Sequence, residues 1–445
     1  MEESTRNFTI KEILKAEVSP ALGCTEPAAI ALAAAAATSL LSKEGVEFIE
    51  IWVDPNVYKN GIAVSIPGTQ GLKGLDMAGA IGAFGGDSER KLEVLETITD
   101  EDISRAEQLI AADKVKVHLL EKQKGLFIKT VVKSRRNTAE CIIEDFHDNI
   151  VVLSLNNKRI SESPLLKTGT AAQEIIGGLT IEAWLKKLPL FRLQELLDDL
   201  DDEDLAFLQE GVNVNLRLAE HGLKYGSGLG IGRTLERLVR QKLIKKDMMI
   251  AARILTSAAS DARMAGVKMP AMSSAGSGNH GLTATLPIWA VKDYIDCDKK
   301  TVLESIALSH LITVYVKAHT GRLSAVCGCS IAAGAGATAG ITYLLGGDLH
   351  HIAGAIANLT EDLAGVICDG AKAGCSLKLA TAAGTAVQSA LFSLQGVRVQ
   401  PSDGIIGTTP EQTMQNVAEL STAGMVETDR TILKIMLEKQ FYGTE

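Results

Sequence analysis

The sequence predicts an α+β fold: an N-terminal mixed α/β domain with a largely antiparallel sheet, then a large all-helical, Gly/Ala-rich domain. Three observations predict it. Short apolar runs with strand-like patterning cluster between Val46 and Leu155. From about Thr168 onward nearly every segment reads as helix or glycine-rich connection. The 445 residues are 46% apolar and only 4% aromatic, with 41 glycines, so the helices must pack at close range through small side chains. The expected division is residues 1–45 as a helical segment packing into the helical domain, 46–167 as the α+β domain, and 168–445 as the helical domain that carries the chemistry.

In chain order, Phe8 to Leu14 reads as a short amphipathic helix and Ser19 to Pro27 breaks the pattern. Ala28 to Leu41 is an Ala/Leu helix with almost no polar face and must be buried. Val46 to Val53 reads as a largely covered strand. Asp54-Pro55-Asn56 is expected to turn into a second strand, Ile62 to Ile66. Gly71 to Leu109 is Gly-rich and then helical, and four further β-rich runs follow: Val115–Leu120, Gly125–Val132, Cys141–Glu144 and Ile150–Leu155. The acidic segment Glu195 to Glu203 keeps apolar spacing and reads as a solvated helix face or helix junction. No repeat of fixed period and no low-complexity linker is present.

Charge narrows the function classes. With 45 Lys plus Arg against 54 Asp plus Glu, the net charge is -9, which disfavours a general nucleic-acid binder. The one tight basic cluster, Lys133-Ser134-Arg135-Arg136, suits a solvated turn or strand end. The N-terminus, Met1-Glu2-Glu3-Ser4, lacks the pattern of a signal peptide. Leu323 to Gly347 runs 25 residues without a charge, but its six glycines and two cysteines favour a buried core segment over a membrane span. The expectation is a cytoplasmic protein with no membrane and no nucleic-acid partner, acting on a small molecule as a homo-oligomer.

The cysteines give the first functional clue. There are seven (24, 141, 297, 327, 329, 368 and 375), four of them between 327 and 375, an odd count that argues for thiols, metal or catalysis over a disulfide framework. Cys327-Gly328-Cys329 precedes Cys368-Asp369-Gly370-Ala371-Lys372-Ala373-Gly374-Cys375. On a continuous helix Cys368 and Cys375 would stand about 10.5 Å apart, too far to grip one compact cluster. The glycines between them favour a loop that folds the two sulfurs together. Three thiolates would leave one iron of a four-iron cluster without a protein ligand, free to act as a Lewis acid. The competing reading is buried free cysteines in a small-residue core.

Three other segments carry candidate chemistry. In Ser19-Pro20-Ala21-Leu22-Gly23-Cys24-Thr25-Glu26-Pro27, Thr25 can cap the following helix, placing Cys24 at its positive end with a lowered pKa, as base or nucleophile. Met272-Ser273-Ser274-Ala275-Gly276-Ser277-Gly278-Asn279-His280-Gly281 offers hydroxyls, an amide and open backbone N–H groups suited to a carboxylate or phosphate. Taken alone it is similar to the substrate loop of pyridoxal-phosphate ammonia-lyases, though no Schiff-base lysine context precedes it. His319, in Lys317-Ala318-His319-Thr320-Gly321-Arg322, can titrate near neutral pH or serve as a structural histidine. The glycine runs 226–232 and 334–340 lack the strand a dinucleotide fingerprint needs and suit close helix packing. The remaining histidines, His147 and His310 among them, show no ligand spacing.

Together the segments Ser19–Pro27, Met272–Gly281, Lys317–Ser330 and Cys368–Cys375 resemble the L-cysteine desulfidase family, relatives of the iron–sulfur L-serine dehydratases. The resemblance implies an oxygen-sensitive [4Fe–4S] cluster on three cysteines and β-elimination from a small amino acid, giving pyruvate, ammonia and sulfide when that amino acid is L-cysteine. It implies Cys368 and Cys375 as ligands with Cys327 or Cys329 as the third, and Cys24 as catalytic base. Ser273, Ser274, Ser277, Asn279, His280 and His319 are the expected substrate-binding residues. Leu22-Gly23-Cys24-Thr25 and Gly374-Cys375-Ser376 depart from the serine dehydratase pattern, which favours cysteine over serine. The alternatives are an L-serine dehydratase, a pyridoxal-phosphate lyase and a non-catalytic amino-acid-binding protein.

Overall fold

The structure, a computed structural model, describes residues 7–41, 45–167, 180–321 and 324–442. Thr168, Arg322 and Leu323, which bound three of the segments above, lie outside them. The chain opens with α1 (Ile10–Glu17), whose capping box joins Thr9 and Glu12, then β1 (Pro20–Leu22) and α2 (Thr25–Ser39). The α+β part contains β2 (Phe48–Val53), α3 (Pro55–Gly61), α4 (Leu75–Gly85), α5 (Asp100–Ala111), β3 (Val115–Leu119), β4 (Phe127–Lys133), β5 (Thr138–Glu144), β6 (Ile150–Leu155) and β7 (Lys158–Arg159). Its six strands run β3-β2-β4-β5-β6-β7; β2 and β3 pair in parallel and the other pairs are antiparallel. Ile49, Ile51 and Val53 of β2 are fully buried while Phe48, Glu50 and Trp52 between them are half-buried, the period-2 pattern of a strand with one face on the core.

The helical part follows: α6 (Ile181–Leu185), α7 (Leu190–Glu195), α8 (Asp202–Tyr225), α9 (Ile231–Arg240) and α10 (Met248–Met264), then the short β8 (Pro270–Met272). Next come α11 (Gly278–Val291), α12 (Lys299–Thr320), α13 (Gly328–Leu344), α14 (Leu349–Leu363), α15 (Cys375–Leu394), α16 (Pro410–Glu419) and α17 (Val426–Tyr442). The acidic segment is a helix junction: a 3-10 turn at Leu196–Asp199 leads to Asp201, which caps α8. Among the described residues one helix, Lys299–Thr320, is long and apolar enough to cross a membrane, and 89% of its apolar window is buried inside the protein.

Two expectations are corrected. Ile62–Ile66 is not a strand. The Asp54 carboxylate accepts hydrogen bonds from the Asn56 and Val57 N–H groups with Pro55 in the first turn, so the chain enters α3 instead of a hairpin. The second correction concerns α2, which packs on the sheet domain and not into the helical one. Its alanines share a core with Ile49, Ile51, Ile128 and Ile143 and with α4. Burial of an all-round apolar helix was correctly dictated by composition, but the small-residue partner is α4, whose Gly82 lies against the Ala31 backbone. A Cβ on Gly82 would stand 2.4 Å from the Ala31 carbonyl oxygen. Gly82→Ala is therefore expected to lower stability by about 1–3 kcal/mol, read as a lower urea midpoint at unchanged m.

Residues 7–41 nevertheless cross between the two parts. Phe8, Ile10, Ile13 and Leu14 of the α1 region belong to the helical core. β1 then pairs antiparallel with β8, Pro20 opposite Met272 and Leu22 opposite Pro270. That two-stranded joint delivers Cys24 to the boundary before α2 turns back onto the sheet.

Candidate functional site

Four helices begin at one place. The N-cap residues of α2, α11, α13 and α15 are Cys24, Ser277, Cys327 and Gly374, and none makes a side-chain capping bond. Their open N–H groups and positive dipole ends favour negative charge. Between them lies a cavity of about 90 Å³, well below the size of a drug-like pocket, so its occupant is small. Cys24, Cys327, Cys329, Cys368 and Cys375 all line it. All seven cysteines are free thiols.

Backbone pairing brings the two cysteine loops together. Cys327 N–H donates to the Val366 carbonyl (2.8 Å), Cys368 N–H donates to the Ala325 carbonyl (2.6 Å), and Val326 bridges Ile367 between them. Cys368 to Gly374 is a loop, and α15 starts only at Cys375, so the two sulfurs escape the separation a helix would impose. Gly370, at φ 86°, lets this loop lie against α3: a Cβ there would stand 2.3 Å from the Lys59 carbonyl oxygen. Lys59 is buried and ion-paired with Asp429 of α17. The Cys368 thiol faces Asn60 Oδ1 at 4.0 Å, and the Cys375 thiol faces the Gly370 carbonyl at 3.7 Å. Burial pushes the thiols of Cys368 and Cys375 up, the latter to about 11, whereas a hydrogen bond from the Cys329 thiol holds Cys327 down at about 5.

The donor set is wholly thiol, the soft set that suits iron–sulfur clusters. Among the described residues no three His, Cys, Asp or Glu side chains are arranged to hold a single ion. Sulfurs set around a cavity at uncapped helix ends fit a wider multi-iron group, whose ligand sulfurs stand up to about 7 Å apart. Cys368, Cys375 and one of Cys327 and Cys329 would hold it.

Cys24 sits differently from the sequence expectation. It is itself the N-cap, in place of Thr25, and its thiol donates to Glu26 Oε2 at 2.9 Å. Burial, and then the Glu26 carboxylate, raise its pKa well above the usual range, against the opposing pull of Arg263. The lowered pKa expected from the helix end is thus overturned. Burial would push the Glu26 carboxyl up as well. His147, whose Nε2 stands 3.8 Å away, together with the Cys24 thiol and the backbone N–H of Glu26 itself, outweighs that and holds it at about 2.

The Met272–Gly281 segment divides. Ser277, Asn279 and His280 line the cavity. Ser273 and Ser274 do not: Ser273 Oγ donates to the Ser19 carbonyl at 2.7 Å, and Ser274 Oγ is 3.0 Å from His310 Nδ1. Both hydroxyls hold the loop. His319 lies apart, edge-on to Tyr315 with ring centroids 4.9 Å apart. Lys317 on the same helix lines the cavity, and a step of two residues turns His319 to another face. The His280 imidazole is pushed down to about 3 by burial and by Lys317, so it is neutral at physiological pH.

Buried neutral histidines make stability pH-dependent. Burial also pushes His310 down, to about 4. Below the unfolded-state value of about 6.5 the unfolded chain binds a proton that the folded chain refuses, so stability falls between about pH 6.5 and pH 4. His310→Gln is expected to remove roughly 2–4 kcal/mol of that fall, measured as a flatter dependence of the urea midpoint on pH.

Sequence reasoning missed five charged or titratable cavity residues: Glu26, His147, Arg263, Lys317 and Lys378. Arg263 and Lys317 are 2% and 4% exposed, so both place a positive charge in the protein interior. Their signal was a lone cation in an otherwise small or apolar helical run, Ala262-Arg263-Met264 and Val316-Lys317-Ala318. His147, in the turn between β5 and β6, offered no such signal.

The cavity is thus lined by thiols and buried cations at four helix N-termini, whose open N–H groups favour negative charge. The profile of the serine dehydratase alpha chain family matches residues 89–434, most of the chain, and the protein belongs to that family. It is 60% identical over 435 residues to a UPF0597 protein of Desulfatibacillum aliphaticivorans, covering 98% of this chain and 99% of the relative. It is 44% identical over 426 residues to one of Clostridioides difficile, covering 96% and 98%, and 39% identical over 430 residues to one of Geobacter sulfurreducens, covering 96% and 98%.

Proposed function

We propose that the protein is an iron–sulfur-dependent lyase that eliminates sulfide from L-cysteine, leaving pyruvate and ammonia. The observation that carries this is the meeting of five cysteines from three separate segments around one cavity. The bound cluster would supply a Lewis-acidic iron with an affinity for a soft β-thiol, making sulfide a better leaving group. The chain's own residues handle the proton. Cys24 is the group we assign to take the unactivated Cα proton once its own proton has left; Glu26, 2.9 Å away with His147 behind the carboxylate, orients the sulfur and is too weak a base to keep that proton. The Cα–H pair then forms the Cα=Cβ bond as the C–S bond breaks, and the aminoacrylate tautomerises and hydrolyses in water. Burial of Cys24, Asn279 and His280 keeps bulk water from the reacting centre.

L-Serine is the second reading, favoured by the family description. Steady-state kinetics on anaerobically purified protein separate the two. A kcat/KM for L-cysteine at least tenfold above that for L-serine is expected, and the reverse order would move the assignment to serine dehydration.

A further inference from the structure

Among the described residues, four buried polar atoms on the cavity lining make no hydrogen bond: His147 Nε2, His280 Nδ1, Arg263 Nε and Asn279 Oδ1, of which the last two form a donor and acceptor pair. Arg263, at the end of α10, is 2% exposed and gives Nη2 to the Gly23 carbonyl at 2.6 Å. Its Nε is buried and makes no hydrogen bond. Asn279 is 4% exposed; its amide nitrogen faces Met264 Sδ at 3.5 Å, and its Oδ1 is likewise buried without a partner. A buried guanidinium N–H left unmade costs more than the bond it forgoes, so its persistence marks a place for a ligand acceptor. The space beside it is kept open by backbone. Gly278, the first residue of α11, approaches so closely that a Cβ there would stand 2.4 Å from Arg263 Nε. Lys378, another cavity cation, is committed to the Ile367 carbonyl and to Asp369.

We propose that Arg263 reads the α-carboxylate of the substrate through Nε, while Asn279 Oδ1 accepts from its α-ammonium group, so that the cavity selects a small zwitterionic α-amino acid. This rests on the elimination reading above and names the residue that sets its substrate class. The uncapped N-terminus of α11 beside Arg263 adds backbone dipoles of the same sign. One donor and one acceptor, fixed and desolvated, fit the two ends of a zwitterion, and reject an amine that lacks the carboxylate.

The test is binding, by titration calorimetry on anaerobically purified protein, of L-alanine and of L-alaninamide. L-Alanine carries both charged groups and no leaving group; the amide has the same shape without the negative charge. Wild-type protein is expected to bind L-alanine at least tenfold more tightly than the amide. Arg263→Gln should weaken L-alanine about ten- to hundredfold and leave the amide nearly unchanged, at unaltered iron content. A merely structural Arg263 would weaken both ligands alike, which overturns the proposal. If Arg263→Gln fails to fold, Gly278→Ala keeps the charge and displaces the guanidinium, and the same selective loss is expected. Equal affinity for acid and amide in the wild type also overturns it. Arg263-dependent binding of L-alanine by a protein that eliminates neither cysteine nor serine would sustain this inference and defeat the elimination reading alone.

Discussion

Cys368→Ser protein, purified anaerobically, should fold normally, retain no cluster iron and show no sulfide release above the uncatalysed rate. The fold survives because the position is fixed by backbone: Cys368 N–H donates to the Ala325 carbonyl at 2.6 Å and the Val326–Ile367 bridge flanks it. A hydroxyl placed there is a hard, weakly acidic donor where soft thiolate is required. Iron analysis and a circular dichroism spectrum on the same sample check both halves. Cys297→Ser is the control. Cys297 lies outside the cavity lining, and its replacement should leave iron content and turnover unchanged.

Cys24→Ala should lower kcat by about 10²- to 10⁴-fold while iron content and the visible spectrum stay at wild-type values. The separation follows from geometry, since Cys24 enters from the β1–α2 joint and its thiol is bonded to Glu26. Glu26→Gln should also be slow, with an added signature. Glu26 is one cause of the raised Cys24 pKa, so removing its charge lowers that pKa. In this variant iodoacetamide should label Cys24 at lower pH than in the wild type, read by mass spectrometry of the Cys24 peptide. A Cys24→Ala protein with full kcat would leave the proton to another group.

The fold was legible where local pattern and tertiary placement agree. Phe8–Leu14 read as helix from its apolar spacing, and the structure adds a Thr9–Glu12 capping box that points the same way. Ile150–Leu155 is a strand over the expected residues. Ile62–Ile66 carries the same alternation, but Asp54 caps a helix just upstream and consumes the chain that would have turned into a hairpin. Composition showed that α2 must be buried and could not show against what. Its close approach to Gly82 is a tertiary fact.

The site divided in the same way. Cysteines stand out in a sequence because few roles suit them, so the five in the cavity were all picked out in advance. The helix-end argument for Cys24 failed in sign, because burial and a carboxylate two residues away outweigh a dipole that acts over one turn. Arg263 and His147 reach the cavity from α10 and from a sheet-domain turn, and only the packing of the two parts reveals them.

Iron and acid-labile sulfide analysis of anaerobically purified protein, with its visible spectrum recorded before and after adding L-cysteine, tests the central claim most directly. About four irons and four sulfides per chain are expected. A broad visible absorption that L-cysteine perturbs is also expected, with sulfide and pyruvate released in equal amounts. Protein that is fully folded, free of iron and sulfide after anaerobic reconstitution, and still able to release sulfide from L-cysteine would contradict it.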